Sequence, residues 1–280
     1  MTSSEKKQLQ ITACKVRMGI IESTHSAKAG HPGGSLSATE IFTYLYFKEM
    51  NIDPKNPKGE DRDRFVLSKG HTAPGLYATL AHRGYFPVED LKTLRKIDSY
   101  LQGHPNMNMV PGVDMSTGSL GQGISVAVGM ALAAKTTGKD NRVYSLLGDG
   151  EIQEGQVWEA CMFASHYSLD NLVVIVDNNG LQIDGNVAKV MSPYPIVDKL
   201  LAFGFHTIAI DGQDFDAIEK ALNEAKKVKG QPTAIVMSTV KGKGVSFMEN
   251  DAGWHGKAPN DAEYEQAMGE LKAQLKELEG

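Results

Sequence analysis

Short continuous apolar runs alternate along this chain with longer segments whose apolar residues recur every three or four positions. The first pattern predicts strands buried on both faces, and the second predicts amphipathic helices. Strands are expected at Phe65 to Leu67, Val143 to Leu147, Asn171 to Val176, Thr207 to Ile210 and Thr233 to Met237. Helices are expected over Lys6 to Ala27, Ser37 to Met50, Thr72 to Arg83, Gly118 to Lys135, Ile152 to His166, Asp214 to Lys227 and Ala262 to Glu279. Crossovers of this length between strands imply βαβ units, so the expected fold is α/β, a doubly wound parallel sheet flanked by helices. No linker interrupts residues 1–280, which read as one domain.

Two polar turns follow consecutive strands. Gly148-Asp149-Gly150 ends the Val143 run, and Asp177-Asn178-Asn179-Gly180 ends the Asn171 run. Strand ends of open α/β sheets are where ligands bind. A carboxylate, an amide oxygen and a backbone carbonyl there form a hard-oxygen set suited to magnesium, which commonly carries substrate phosphates. Gly150 leaves room for an N–H to approach an anion, and a helix expected to start just beyond would direct its positive end to the same place. Either turn alone is also an ordinary place for Gly, Asp and Asn. Their occurrence on consecutive strands, in this order, favours a metal-bridged diphosphate site.

Gly-Asp-Gly followed about thirty residues later by Asn-Asn resembles the thiamine diphosphate signature. Gly30 to Leu36 (GHPGGSL), Ser68 to His71 (SKGH), Gln102 to Asn106 (QGHPN), Ser116 to Ser125 (STGSLGQGIS) and Trp254 to Gly256 (WHG) resemble transketolase motifs, in the transketolase order. The resemblance spans about residues 11 to 270. Gly-Asp-Gly and Asn-Asn also occur in 1-deoxyxylulose-5-phosphate synthase and in E1 components of 2-oxo acid dehydrogenases, and a non-catalytic relative could keep the fold. The GHPGG and QGHPN loops favour transketolase. Gly121-Gln122-Gly123 lacks the third glycine of a nicotinamide-binding fingerprint.

The resemblance implies thiamine diphosphate and Mg2+ (or Ca2+) as cofactors and sugar phosphates as substrates. It implies that Asp149, Asn179 and the Leu181 carbonyl bind the metal, that Gly150, His71 and His255 hold the diphosphate, and that Gly118 and Leu120 meet the aminopyrimidine ring. His104 would contact the donor's terminal hydroxyl, and His31 with His255 the oxygens that develop charge. Imidazole suits such work because it donates, accepts or carries charge near neutral pH. His25, His82, His166 and His206 lie outside these motifs and are expected to be structural. Ser119 stands where many transketolases have proline, which loosens the loop at Gly118.

Net charge of −5 and a pI near 5.9 argue against nucleic-acid binding. Lys226, Lys227 and Lys229 read as a solvated helix end. The segment from Met1 to Lys7 is polar and no apolar run approaches the ~20 residues of a membrane span, so a cytoplasmic protein is expected. Cys14 and Cys161 fall in separate expected helices and read as reduced, buried packing residues.

Transketolases continue past this region into a pyrimidine-binding domain that supplies a ring-activating glutamate. Its motifs are not present, so the resemblance implies an amino-terminal subunit whose partner is a separate chain carrying that domain, in two copies of each. Glu154 and Glu159 are expected on the helix after Gly-Asp-Gly, about 140° apart. In the family the matching carboxylates join a glutamate network at the subunit interface, which implies a catalytic role for Glu154.

Overall fold

The computed structural model describes residues 1–280. Its elements in chain order are α1 (Ser3–Ala27), α2 (Pro32–Ser37), α3 (Thr39–Tyr44), β1 (Arg64–Leu67), α4 (Ala73–Arg83), α5 (Gln122–Thr136), β2 (Val143–Gly148), α6 (Gly155–His166) and β3 (Leu172–Asn178). A small hairpin follows, β4 (Leu181–Gln182) and β5 (Gly185–Asn186), then α7 (Val187–Val190), α8 (Ile196–Ala202), β6 (His206–Asp211), α9 (Phe215–Ala225), β7 (Thr233–Ser238) and α10 (Asp261–Glu279). Five strands form one parallel sheet in the order β1-β2-β3-β7-β6. No helix is long and apolar enough to cross a membrane.

Strand side chains alternate between two cores, which is why these strands read as unbroken apolar runs. Phe65, Leu67, Tyr144, Leu146, Val173, Ile175, Ile235 and Met237 join α1, α3, α4, α9 and α10 in a cluster of 44 buried residues. Val66, Val143, Leu147, Val174, Val176, Ala234 and Val236 face α5, α6 and α8 in a second cluster of 21. Helices therefore cover both faces, as the sequence pattern predicts. Cys14 and Cys161 are buried free thiols in α1 and α6.

Three expected helices differ from those observed. The Ser37 to Met50 segment breaks at Ala38 (ψ 7°), giving α2 and α3 followed by a π turn over Leu45–Glu49. The Gly118 helix begins only at Gln122, because Gly118 (φ 153°) and Gly121 (φ 78°) take left-handed backbone that a helix cannot use. The Ile152 helix begins at Gly155. Glu151 to Gln153 forms a separate 3-10 turn, and Glu154 is extended (φ −68°, ψ 129°). Glu154 and Glu159 consequently do not share one helix, and the angle expected between them does not apply.

Strand register brings the carboxyl ends of β1, β2 and β3 level, with Leu67 beside Leu146 and Gly148 beside Asp177. Fully buried Asp177 ties the loops at that edge together. It accepts from the Lys69 ammonium, from Ser37 Oγ at 2.6 Å, from Asn179 Nδ2 at 3.2 Å and from Thr239 Oγ1. Lys69 is itself only 2% exposed, so the pair is a desolvated ion pair whose lone member would be strongly unfavourable. Asp177→Asn should therefore lower stability by about 3–5 kcal/mol. Urea unfolding followed by circular dichroism measures this, and a loss below about 1 kcal/mol would mean that water already screens the pair.

Candidate active site

The loops after β1, β2, β3 and β7 enclose a cavity of about 170 Å³ at the carboxyl edge of the sheet. A larger cleft of about 630 Å³ lies between Arg62, Arg64 and the loop from Met107 to Val113, but it holds none of the motif residues. The smaller cavity carries the chemistry. It is lined by Asp149, Gly150, Glu154, Asn179, Leu181, His71, His255 and Leu120 from the residues singled out in the sequence.

Buried Asp149 is shaped by its neighbours. Oδ1 accepts the Gly150 N–H at 2.8 Å and Oδ2 the Gly180 N–H at 2.6 Å, which fixes the carboxylate and leaves each oxygen a lone pair. Burial, reinforced by the Asp177 charge, raises its pKa to about 6 despite those two donors. Asn179 Oδ1 accepts from Leu181 N at 3.1 Å, which orients the amide oxygen. The Gly150 N–H is thus engaged by its own neighbour, and α6 starts five residues on, so the expected helix dipole does not act at this glycine.

His31, His71 and His255 form a triangle of rings, with centroid separations of 5.2, 5.5 and 5.0 Å. All three are held neutral. Burial lowers His31 to about 4, helped by the nearby charge of Arg95, and burial with Lys241 lowers His255 to about 3. His71 is pushed well down by burial and then by Lys69. The Lys241 ammonium lies 2.9 Å from His255 Nδ1, and an ammonium can only donate, so Nδ1 accepts and the ring proton resides on Nε2. His31 Nδ1 is buried with no partner. A buried polar atom of this kind calls for a ligand or water.

His104 and Gly118 stand beside the cavity rather than in its wall. A Cβ on Gly118 would lie 3.0 Å from the His104 ring, so glycine leaves room for that ring against the loop. The Tyr77 hydroxyl donates to the His104 carbonyl at 2.9 Å and fixes the backbone there. Leu120 is 38% exposed at the rim. Glu154 lines the rim and Glu159 points to solvent on α6. His25, His82 and His206 pair with Asp261, the Lys15 carbonyl and Glu224, and His166 is exposed; none lies in the cavity.

Three buried charged residues that motif reading left without a role complete the site. Lys69 and Lys241 both line the cavity. Buried Glu151 accepts from Ser68 Oγ at 2.6 Å and from the backbone N–H of Gly121 at 2.9 Å and Gly148 at 3.0 Å, joining the loop before α5 to the ends of β1 and β2. The signal for each was position. Lys69 sits inside SKGH, Glu151 follows Gly-Asp-Gly, and Lys241 lies just past the β7 run.

The imidazoles and Asp149 respond oppositely to pH. Depressed imidazoles contribute stability above about 6.5 that is lost as pH falls through about 4 and 3 for His31 and His255. Asp149, raised from 3.8 to about 6, contributes stability at low pH that is lost as pH rises through 6. In chelator-containing buffer Asp149→Asn should therefore gain stability relative to wild type as pH rises from about 4 to 7, by roughly 3 kcal/mol. Denaturant midpoints at both pH values check this, and a pH-independent difference would contradict the buried carboxylate's shift.

A family model described as transketolase, thiamine diphosphate binding domain, matches residues 8–276. The chain is 45% identical over 270 residues to the 6-deoxy-6-sulfo-D-fructose transketolase subunit SqwG of a Clostridium species, covering 96% of this chain and 98% of that protein. It is 42% identical over 271 residues to an apulose-4-phosphate transketolase subunit of Phocaeicola vulgatus, covering 97% and 96%. Human transketolase is 44% identical over 272 residues, but this chain spans only 42% of it. Transketolase from Campylobacter jejuni superposes with a TM-score of 0.89 at 32% identity, covering 99% of this chain and 46% of that one. The chain spans under half the length of the solved transketolases it matches. With the fold, the motif order and the family model in agreement, the chain belongs to the transketolase family through its thiamine diphosphate binding domain.

Proposed function

We propose that this chain is the cofactor-anchoring subunit of a two-chain transketolase that transfers a two-carbon ketol unit from a ketose phosphate to an aldose phosphate. The observation that carries this reading is the convergence of two neutral imidazoles, His71 and His255, with His31 packed against both, a hard-oxygen triad and buried Lys241 on one strand-end cavity. The cavity's size also fits the reading, since about 170 Å³ takes a diphosphate end but falls short of the ~300 Å³ that encloses a whole drug-sized molecule. Similar proteins of nearly the same length are themselves named as subunits.

In this reading Asp149, Asn179 Oδ1 and the Leu181 carbonyl hold Mg2+ or Ca2+, a set of hard oxygens with fixed orientation. His71 and His255 hold the diphosphate, with Gly150, whose N–H the Asp149 carboxylate also accepts, beside them in the cavity wall. Gly118 and Leu120 face the aminopyrimidine end, and His104 meets the sugar's terminal hydroxyl. His31 and the Nε2–H of His255 donate to oxygens that gain charge, a use for which neutral, desolvated rings are suited. The cofactor, when bound, supplies the carbon nucleophile that accepts and passes on the two-carbon unit. Residues 1–280 act as one diphosphate- and metal-binding domain in the cytoplasm. A second chain supplies the pyrimidine-binding domain, two copies of each assemble, and Glu154 reaches that interface from the cavity rim.

Ketol transfer from a ketose phosphate to ribose 5-phosphate should be negligible with this chain, thiamine diphosphate and magnesium alone, and should appear on adding the partner chain. Robust turnover by the lone chain would overturn the two-chain reading. Within the assembled enzyme, His104→Ala should raise KM for the donor about 10-fold, the scale of one lost hydrogen bond, with cofactor affinity little changed. His71→Ala should weaken cofactor binding instead. Steady-state kinetics with cofactor titration separates the two, and identical profiles would refute the division of roles.

A further inference from the structure

The cleft of about 630 Å³ falls within the range of roughly 300–1,000 Å³ that takes small molecules, and none of the residues assigned to the cofactor lines it. Its lining divides into cations and apolar groups. Arg62 and Arg64, two positions apart where β1 begins, line it together with Lys58.

These three cations are not equally neutralised. Asp114 accepts from both terminal nitrogens of Arg62. Glu60 and Asp61 pair with Lys139, and Asp63 accepts the backbone N–H groups of Asn51 and Arg142. Arg64 and Lys58 are left without a carboxylate, and the one hydrogen bond of the Arg64 side chain runs to the Glu60 carbonyl at 3.3 Å. Burial, then the Arg62 charge, lowers the pKa of Arg64 against the opposing pull of Asp114, Asp63 and Glu60, which marks it as an under-compensated guanidinium. Arg62 Nε and Arg64 Nη1 are buried with no partner. Donors in that state call for a ligand atom or a water.

Met107, Met109 and Met130 supply much of the apolar lining, and the first two are exposed. Thioether side chains adapt to the shape of an apolar body. The loop that carries Met107 and Met109 is fixed at both ends, because the Met107 N–H donates to Ser116 Oγ at 3.0 Å and Asp114 also accepts the Phe65 N–H at 2.8 Å. Between them a Cβ on Gly112 would lie 2.7 Å from the Tyr85 ring, so the turn is pressed against that ring. The cleft is therefore preformed, which lowers the cost of binding.

We propose that this cleft is a second, non-catalytic site that takes a small organic phosphate with an apolar body. A guanidinium fork matches phosphate oxygens in geometry as well as charge. Two uncompensated cations suit a phosphate monoester, with about −1.5 to −2 charge at neutral pH, better than the single charge of a carboxylate. The methionines cover the body.

The test titrates the full chain with 1-naphthyl phosphate by calorimetry, beside 1-naphthol and inorganic phosphate, each with and without saturating thiamine diphosphate and Mg2+. Circular dichroism verifies folding of each variant. Wild type should bind 1-naphthyl phosphate about 10-fold or more tightly than either fragment, and equally well when the cofactor is present. Arg64→Gln should weaken it about 10-fold, the scale of one charge-assisted hydrogen bond. Met109→Ser should weaken it less, with the affinity for inorganic phosphate unchanged. Wild-type affinity in Arg64→Gln, or an affinity no greater than that of inorganic phosphate, would overturn the proposal. Displacement of the probe by thiamine diphosphate would also overturn it, by placing the probe in the catalytic cavity. If Arg64→Gln fails to fold, Lys58→Gln and Met109→Ser carry the comparison, and unchanged affinity in both overturns the proposal equally.

Discussion

One buried carboxylate organises the functional edge of this molecule. Asp177, next to last in the central strand of the sheet, gathers Lys69 from the loop after β1, Ser37 from α2, Asn179 from its own loop and Thr239 from the loop after β7. Burial alone would raise its pKa, yet the Lys69 charge and the Ser37 and Thr239 hydroxyls outweigh that and hold it below the usual carboxylate value. Four chain segments thus share one charge at this edge. The placement of Asn179, and through it the Leu181 backbone, follows from that constraint.

Glu151 does the same one strand over. Its carboxylate collects Ser68, Gly121 and Gly148. Burial raises its pKa, while those donors oppose the shift. The two carboxylates are structural, whereas Asp149 between them keeps lone pairs directed at the cavity. An edge built from buried acids with fixed donors needs little reorganisation when a cation or an anion arrives, which is the condition for strong electrostatic recognition. The imidazole triangle follows the same logic, since desolvation removes its charge and leaves directed N–H groups and lone pairs.

Sheet, helices and most residues that line the cavity were legible in the sequence because their signals are local. Apolar runs of both-face-buried strands, and Gly-Asp-Gly and Asp-Asn-Asn-Gly at their ends, bring Asp149, Asn179 and Leu181 to one strand-end cavity. Motif order brought His71 and His255 to the same cavity and His31 beside them. What was not legible depends on long-range pairing. The late start of α5 follows from the left-handed backbone at Gly118 and Gly121, and the separate turn before α6 accompanies Glu151 reaching back to Gly148 and, 30 positions away, to Gly121. Lys241, in a loop of Lys and Gly, carries no periodic signal at all, and only the fold shows it buried against Leu181 and His255.

Anomalous diffraction from crystals of this chain grown with Mn2+ and thiamine diphosphate, alone or with its partner, is the most direct test of a strand-end cofactor site. The expected result is one manganese peak within coordination distance of Asp149, Asn179 Oδ1 and the Leu181 carbonyl, with diphosphate density reaching His71 and His255. A manganese peak at other residues, or diphosphate density away from this cavity, would contradict it.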